Sequence, residues 1–142
     1  MSDPIYRREL LRLAADAVGA GRLGTPHGSA TAHNPACGDR VTVDVTLEGG
    51  HIASLRHQTQ ACVITQASAA ILGAEAPGMD RAGLGQLRDQ VAAMLEGGAV
   101  PDAPFQAYAA FEGVAVHRGR HVCVLLPLDA ALKALETAKP GA

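Results

Sequence analysis

Residues 41–59 read VTVDVTLEGGHIASLRHQT, and this stretch decides the fold class. Valine or leucine occupies every second position from Val41 to Leu47, with threonine or aspartate between them. This alternation is typical of a strand with one buried face. The EGG sequence at residues 48–50 indicates a turn, and residues 51–59 then return as a second strand. The sequence therefore predicts a β-hairpin.

Upstream of the hairpin, the sequence predicts a helix and a connection. Asp3-Pro4 is typical of an N-cap followed by a first-turn proline, and apolar residues then recur at helical spacing, so we expect a helix over residues 4–18. Residues 19–24 match G-x-G-x-x-G, but a dinucleotide fingerprint needs a strand before it and a helix after it. We interpret the match as a helix C-cap and flexible linker. Residues 25–35 are expected to be a loop or a short edge strand.

Downstream of the hairpin, the hydrophobic period changes to that of helices. The pattern predicts a helix from Cys62 to about residue 73 and another that Asp80 caps and residues 97–98 end. A short helix is expected within residues 101–112. The last helix contains Pro127 near its start, which is expected to delay or kink it. The predicted fold class is α+β, with a small antiparallel sheet packed against several helices.

Composition limits the function classes. The 142 residues are 48% hydrophobic, which favours one packed domain over residues 1–142 with an ordered core at about 4–138. The formal net charge is -2 and no basic stripe is present, so we expect no nucleic-acid partner. The charged N-terminus and the lack of a long apolar run predict a cytoplasmic protein with no membrane segment. Its three cysteines are expected to stay reduced there.

The three cysteines lie at predicted element boundaries. Cys37-Gly38-Asp39 precedes the first strand of the hairpin, Cys62 stands where strand gives way to helix, and Cys123 lies near the start of the last helix. Three thiols with one nearby carboxylate suit a tetrahedral site for Zn²⁺ or an iron–sulfur cluster. No C-x-x-C pair is present, so spacing alone leaves open the alternative of three buried, unreactive cysteines.

The histidines have mostly structural interpretations. His51 and His57 fall in a predicted strand and are expected to be solvated. His33 is close enough in sequence to Cys37 to lie beside a metal site. His121 lies two residues before Cys123 and is a candidate to compete as a ligand.

Three segments together resemble the U-type iron–sulfur cluster assembly family, which includes IscU, SufU and the N-terminal domain of NifU. The segments are HNPACGD at residues 33–39, QACVITQASAA at residues 60–70 and RHVC at residues 120–123. The resemblance covers about residues 5–137. It implies a SufE/NifU-like fold and a metal site with four ligands: Cys37, Asp39, Cys62 and Cys123.

Within that family the chain is most similar to the SufU branch. The segment from Cys62 to Cys123 is long, as in SufU-type proteins, and Val122 stands where IscU-type proteins have histidine. Arg120 matches an arginine typical of SufU-type sequences. The HRG sequence at residues 117–119 departs from the Phe-Pro pair usual before that arginine.

The resemblance implies a zinc-dependent sulfur acceptor that takes persulfide sulfur from a PLP-dependent, SufS-like cysteine desulfurase. Cys37 would be the accepting and thus catalytic thiol, and Arg120 would orient Asp39 or the incoming group. The product would pass to a downstream iron–sulfur scaffold or apo-protein. The alternative is an IscU-like scaffold on which a [2Fe–2S] cluster or iron is held. A third possibility is a structural zinc module, so whether the chain is an enzyme stays open.

Overall fold

A three-stranded antiparallel sheet in the order β1–β2–β3 forms one layer of the computed structural model. The structure describes residues 4–36 and 38–138, with side chains from residue 8 onwards. The elements in chain order are α1 (Pro4–Asp16), β1 (Gly28–Asn34), β2 (Asp39–Glu48), β3 (His51–Gln60), α2 (Val63–Glu75), α3 (Arg81–Leu95) and α4 (His121–Thr137), with 3₁₀ segments at Gln106–Val114 and Arg118–Arg120.

The predicted hairpin is confirmed as β2 and β3. Val41, Val43 and Val45 have at most 1% exposed surface and direct the apolar face of β2 into the core. Their alternation with polar residues is therefore what orients the sheet. The segment that the sequence left as loop or edge strand is β1, which pairs with β2 at one edge.

Helices α2 and α4 pack against the sheet, and α1 packs on α2. Helix α3 buries one face, since Leu84, Leu87, Val91 and Met94 are all at most 2% exposed. Asp80 caps this helix as predicted, and its carboxylate accepts a 2.8 Å hydrogen bond from the Gly83 N–H. The α+β fold class is confirmed. Within the described residues, no helix has the length and apolar character needed to cross a bilayer.

The segment that follows α1 is packed, which corrects its interpretation as a flexible linker. His57 of β3 donates its backbone N–H to the Gly19 carbonyl at 2.9 Å and accepts the Gly21 N–H at 2.8 Å. Gly19 also lies directly against Gly73 of α2, where a side chain on either glycine would meet backbone atoms. The glycines are used for close approach and for backbone pairing.

His57 is buried, with 4% of its surface exposed, so the expectation that it is solvated is wrong. Its Nε2 lies 2.9 Å from the Val18 carbonyl, which can only accept, so Nε2 carries the proton. The Thr59 hydroxyl then donates to Nδ1 at 2.9 Å. Burial lowers the pKa of His57, and the nearby Arg56 charge lowers it further against the opposing Val18 hydrogen bond. His51 is exposed, as expected.

Pro127 does not delay the last helix. Helix α4 begins at His121 and contains Pro127 in its interior. Proline has no N–H to donate to the carbonyl four residues earlier, which here belongs to Cys123. The hydrophobic packing of α4 against β1, β2 and α2 compensates for that lost bond, because its buried side chains include Val124, Leu126 and Leu128.

Candidate metal centre

Three described side chains converge where a strand and two helices begin. Asp39 is the first residue of β2, Cys62 is the N-cap of α2, and Cys123 lies in the first turn of α4. Because β2 and β3 are antiparallel, the start of β2 lies beside the end of β3, from which the chain enters α2. One carboxylate oxygen of Asp39 and the two sulfurs all lie within 4.8 Å of one another.

The site is largely shielded from solvent. Asp39 is 7% exposed and Cys123 is 4% exposed, whereas Cys62 is half-buried. Cys37, the fourth predicted ligand, lies outside the described residues, so its participation stays a prediction. Among the described residues, no other three groups from His, Cys, Asp and Glu converge in this way.

The first turn of α2 holds Asp39. The Cys62 backbone N–H donates to Asp39 Oδ1 at 3.3 Å, and the Thr65 hydroxyl donates to Asp39 Oδ2 at 3.2 Å. The Cys62 side chain makes no capping hydrogen bond, so Asp39 supplies the negative group that stabilises this helix N-terminus. Thr65 Oγ1 also lies 3.5 Å from Cys62 Sγ.

Thr65 was not singled out from the sequence. Its signal is its place as the third residue of a helix whose N-cap is a cysteine, where a hydroxyl can bond local polar groups. The contact with Asp39 depends on the pairing of β2 with β3, which the local sequence does not specify.

A buried serine links the two helices that carry the cysteines. Ser68 of α2 is fully buried and its hydroxyl donates to the Val124 carbonyl of α4 at 2.7 Å. The Tyr108 hydroxyl lies 3.3 Å from the Ser68 hydroxyl, and burial raises the pKa of Tyr108 well above its usual value. Since Val124 follows Cys123 directly, this bond helps fix the position of Cys123 relative to α2.

The three groups lie in a cleft of about 330 Å³, lined by Asn34, Ala36, Asp39, Cys62, Gly119, Arg120 and Cys123. The exposed Arg120 therefore borders the site, as expected. Among the described residues its side chain makes no hydrogen bond with Asp39, which is held by the Cys62 N–H and the Thr65 hydroxyl. A role of Arg120 toward Asp39 or an incoming group stays a prediction.

His121 faces away from the cysteines. Its Nε2 lies 2.8 Å from the Ala115 carbonyl, and its Nδ1 lies 3.5 Å from a Glu96 carboxylate oxygen. Both ring nitrogens are thus directed at other groups, and His121 is not part of the converging group. His33 is exposed and is not part of the converging group.

The donor set fits a thiophilic metal. A tetrahedral zinc with Zn–S bonds of about 2.3 Å places two sulfur ligands about 3.8 Å apart. Separations of at most 4.8 Å need only a small contraction to reach this geometry. Two thiolates and one carboxylate match zinc or iron better than Mg²⁺ or Ca²⁺, which prefer oxygen ligands alone.

Comparisons with known proteins identify the family and support the fold. The family described as "NifU-like N terminal domain" matches residues 5–123. The crystal structure of a nitrogen-fixing NifU-like protein (N-terminal) from Brucella abortus is 30% identical, covers 97% of this chain and 96% of that one, and superposes with a TM-score of 0.90. A putative iron–sulfur cluster assembly scaffold for the SUF system from Fervidobacterium islandicum is 22% identical over 92% and 93% of the two chains, with a TM-score of 0.78, and supports the fold alone. No curated protein matches significantly.

Proposed function

Because this chain belongs to the NifU-like N-terminal domain family, whose proteins are scaffolds of iron–sulfur cluster assembly, we propose that it acts within that process as a zinc-dependent sulfur acceptor of the SufU type. Scaffolds of this family bind metals or iron–sulfur clusters and work with cysteine desulfurases and cluster acceptors. The observation that carries the proposal is the convergence of Asp39, Cys62 and Cys123 in one shielded cleft.

The proposed ligands are Cys62 and Cys123 from the described site, Asp39 beside them, and Cys37, which precedes Asp39 by two residues in the sequence. A bound zinc ion would keep the thiols deprotonated at neutral pH. Asp39 is a hard oxygen ligand among soft sulfurs and is already hydrogen-bonded by α2, which favours an exchangeable site over a closed structural one.

Cys37 is the proposed sulfur acceptor. Its thiolate attacks the outer sulfur of a persulfide on the desulfurase cysteine, a new S–S bond forms on Cys37, and the old S–S bond breaks. The desulfurase cysteine leaves as a thiolate with the electron pair, so the exchange needs no external oxidant or reductant. Ala36 and Gly38, on either side of Cys37, are exposed, which suits access by a partner protein.

The sequence around the third cysteine favours this proposal over a [2Fe–2S] scaffold. Val122 precedes Cys123 where IscU-type proteins have a histidine, and it is 39% exposed. A valine can neither ligate iron nor carry a proton there. The scaffold alternative is favoured by the 30% identity to a NifU-like protein and by a cysteine-rich donor set that also suits iron.

Two measurements test the proposal. Elemental analysis of the full chain purified without oxygen is expected to give about one zinc per chain. Incubation with a cysteine desulfurase and cysteine, followed by mass spectrometry, is expected to locate the added sulfur on Cys37. Cys37→Ala should abolish sulfur acceptance.

A matched control keeps this result interpretable. Cys37→Ser retains the size of the side chain but not its sulfur, so it should also fail, whereas Ala36→Ser beside it should accept sulfur normally. A persulfide found on Cys123 and never on Cys37, together with a coloured [2Fe–2S] species after anaerobic reconstitution, would replace the proposal with the scaffold alternative. Absence of both zinc and iron would contradict the metal site itself.

A further inference from the structure

We propose that Thr65 is a positioning residue of the metal centre, whose hydroxyl holds Asp39 beside Cys62 and thereby sets how tightly the centre retains its metal. This inference rests on the proposed metal site. It assigns to Thr65 a role through Asp39 and not as a ligand.

Among the described side chains, Thr65 has a distinctive place beside the centre. It is fully buried, and its hydroxyl lies 3.2 Å from Asp39 Oδ2 and 3.5 Å from Cys62 Sγ. Apart from the Cys62 backbone N–H, it is the one hydrogen-bond donor to Asp39 within the described residues. Thr65 therefore contacts two of the three converging groups without being one of them.

The hydroxyl has a single proton for these two acceptors. When it donates to Asp39, the carboxylate is held at both oxygens, each of which retains a lone pair that can face a metal. When it donates to the Cys62 sulfur instead, Asp39 is held only by the Cys62 N–H. The choice of acceptor thus changes how firmly Asp39 is fixed, and a less firmly fixed carboxylate leaves a metal more easily.

Removal of a group that orients a ligand typically weakens metal binding by about 10- to 100-fold. Thr65→Val keeps the branched shape and removes the hydroxyl, so we expect a loss in that range. Thr65→Ser keeps the hydroxyl and should bind metal within about threefold of wild type. Thr59→Val is the matched control, because it also removes a hydroxyl. That hydroxyl makes a hydrogen bond with the buried His57, and neither residue lines the cleft.

The experiment measures zinc affinity of the full chain by competition with a chromophoric chelator, and it records the absorption spectrum of the Co²⁺-loaded protein. Thr65→Val should weaken zinc binding and alter the Co²⁺ ligand-field bands while the thiolate charge-transfer bands persist. In an Asp39→Asn background, Thr65→Val should cost less than about threefold further, because the group it positions has already changed. If Thr65 had a purely structural role, Thr65→Val would weaken zinc binding by the same factor in the Asp39→Asn background as in the wild type.

The outcomes separate this inference from the proposed function. Wild-type protein that binds no zinc or cobalt would contradict both. Wild-type protein that binds zinc, with Thr65→Val binding it equally well or with multiplicative losses in the Asp39→Asn background, would overturn the role of Thr65 alone. Thr65→Ala serves as a second hydroxyl-free variant if valine does not fit. Failure of both to fold would also overturn the inference, because the hydroxyl would then be needed for folding.

Discussion

Gly73 offers the sharpest test of the packing that supports α2. A Cβ added at Gly73 would lie 2.0 Å from the Val18 carbonyl oxygen and 2.9 Å from Gly19 Cα, which are backbone atoms without rotamers to change. Relief requires the segment after α1 to move outward by about 1 Å. That movement strains the pairing of Gly19 with His57, since van der Waals contact cannot be compressed so far.

The magnitude follows from two opposing effects. Overpacking of a filled interior costs about 3 kcal/mol when backbone must move, and alanine regains about 1 kcal/mol of helix propensity over glycine. Gly73→Ala should therefore lower the free energy of unfolding by about 2 kcal/mol, or the melting temperature by about 8 °C for a domain of this size. Zinc content should change little, because the clash lies about 16 Å along α2 from Cys62.

Gly85 of α3 provides the matched control. A Cβ added there has nothing within 4 Å, so Gly85→Ala should raise the free energy of unfolding by about 0.5–1 kcal/mol through helix propensity alone. Both variants are compared by thermal and urea unfolding of the metal-free protein. A Gly73→Ala variant that melts at or above the wild-type temperature would refute the packing argument, as would equal losses at Gly73 and Gly85.

Three further predictions follow from the described contacts. Cys62→Ser should lower the melting temperature more in zinc-replete than in chelated protein, because metal bound only to the native state stabilises it; equal losses would mean a purely structural cysteine. Burial lowers the pKa of His57, so the folded state binds this proton only at a lower pH than the unfolded chain does, and stability should fall as the pH drops below about 6.5. His57→Gln should reduce the change in the urea midpoint between pH 7.5 and 5.5. If the midpoint of this variant changes with pH as much as that of the wild type, other groups cause the pH dependence. Ser68→Ala should cost about 1 kcal/mol in urea unfolding, since the Val124 carbonyl keeps its place in the helix ladder; a cost near zero would mean that the 2.7 Å bond contributes nothing.

Local patterns predicted most of the fold, because they depend on neighbouring residues. The alternation from Val41 to Leu47 defines a half-buried strand without any knowledge of its partner. Asp80 likewise caps its helix through a bond to the Gly83 N–H, three residues away. Elements whose signal lies within one turn or one strand were therefore identified from the sequence.

Features that depend on distant partners could not be predicted in this way. His57 is buried because the segment from Val18 to Gly21 covers it, and Val18 lies 39 residues earlier in the chain. The convergence of Asp39 with Cys62 and Cys123 followed from the family resemblance, since spacing alone left it open. Glycines at residues 19–24 indicated a break after α1 but not the packed backbone that they permit.

The hydrogen bonds of Asp39 to α2 make the fold around the centre less dependent on a bound metal. In zinc fingers the metal provides the free energy of folding, and the chain unfolds without it. Here Asp39 caps α2 through the Cys62 N–H and the Thr65 hydroxyl, so the carboxylate remains satisfied when it does not bind metal. Among the described residues, no buried side-chain nitrogen or oxygen lacks a hydrogen-bond partner. Within that part of the chain, no buried polar side chain therefore needs a metal to satisfy it, which favours a fold that keeps its shape without one. A site that must release and regain a ligand requires that independence of fold from metal.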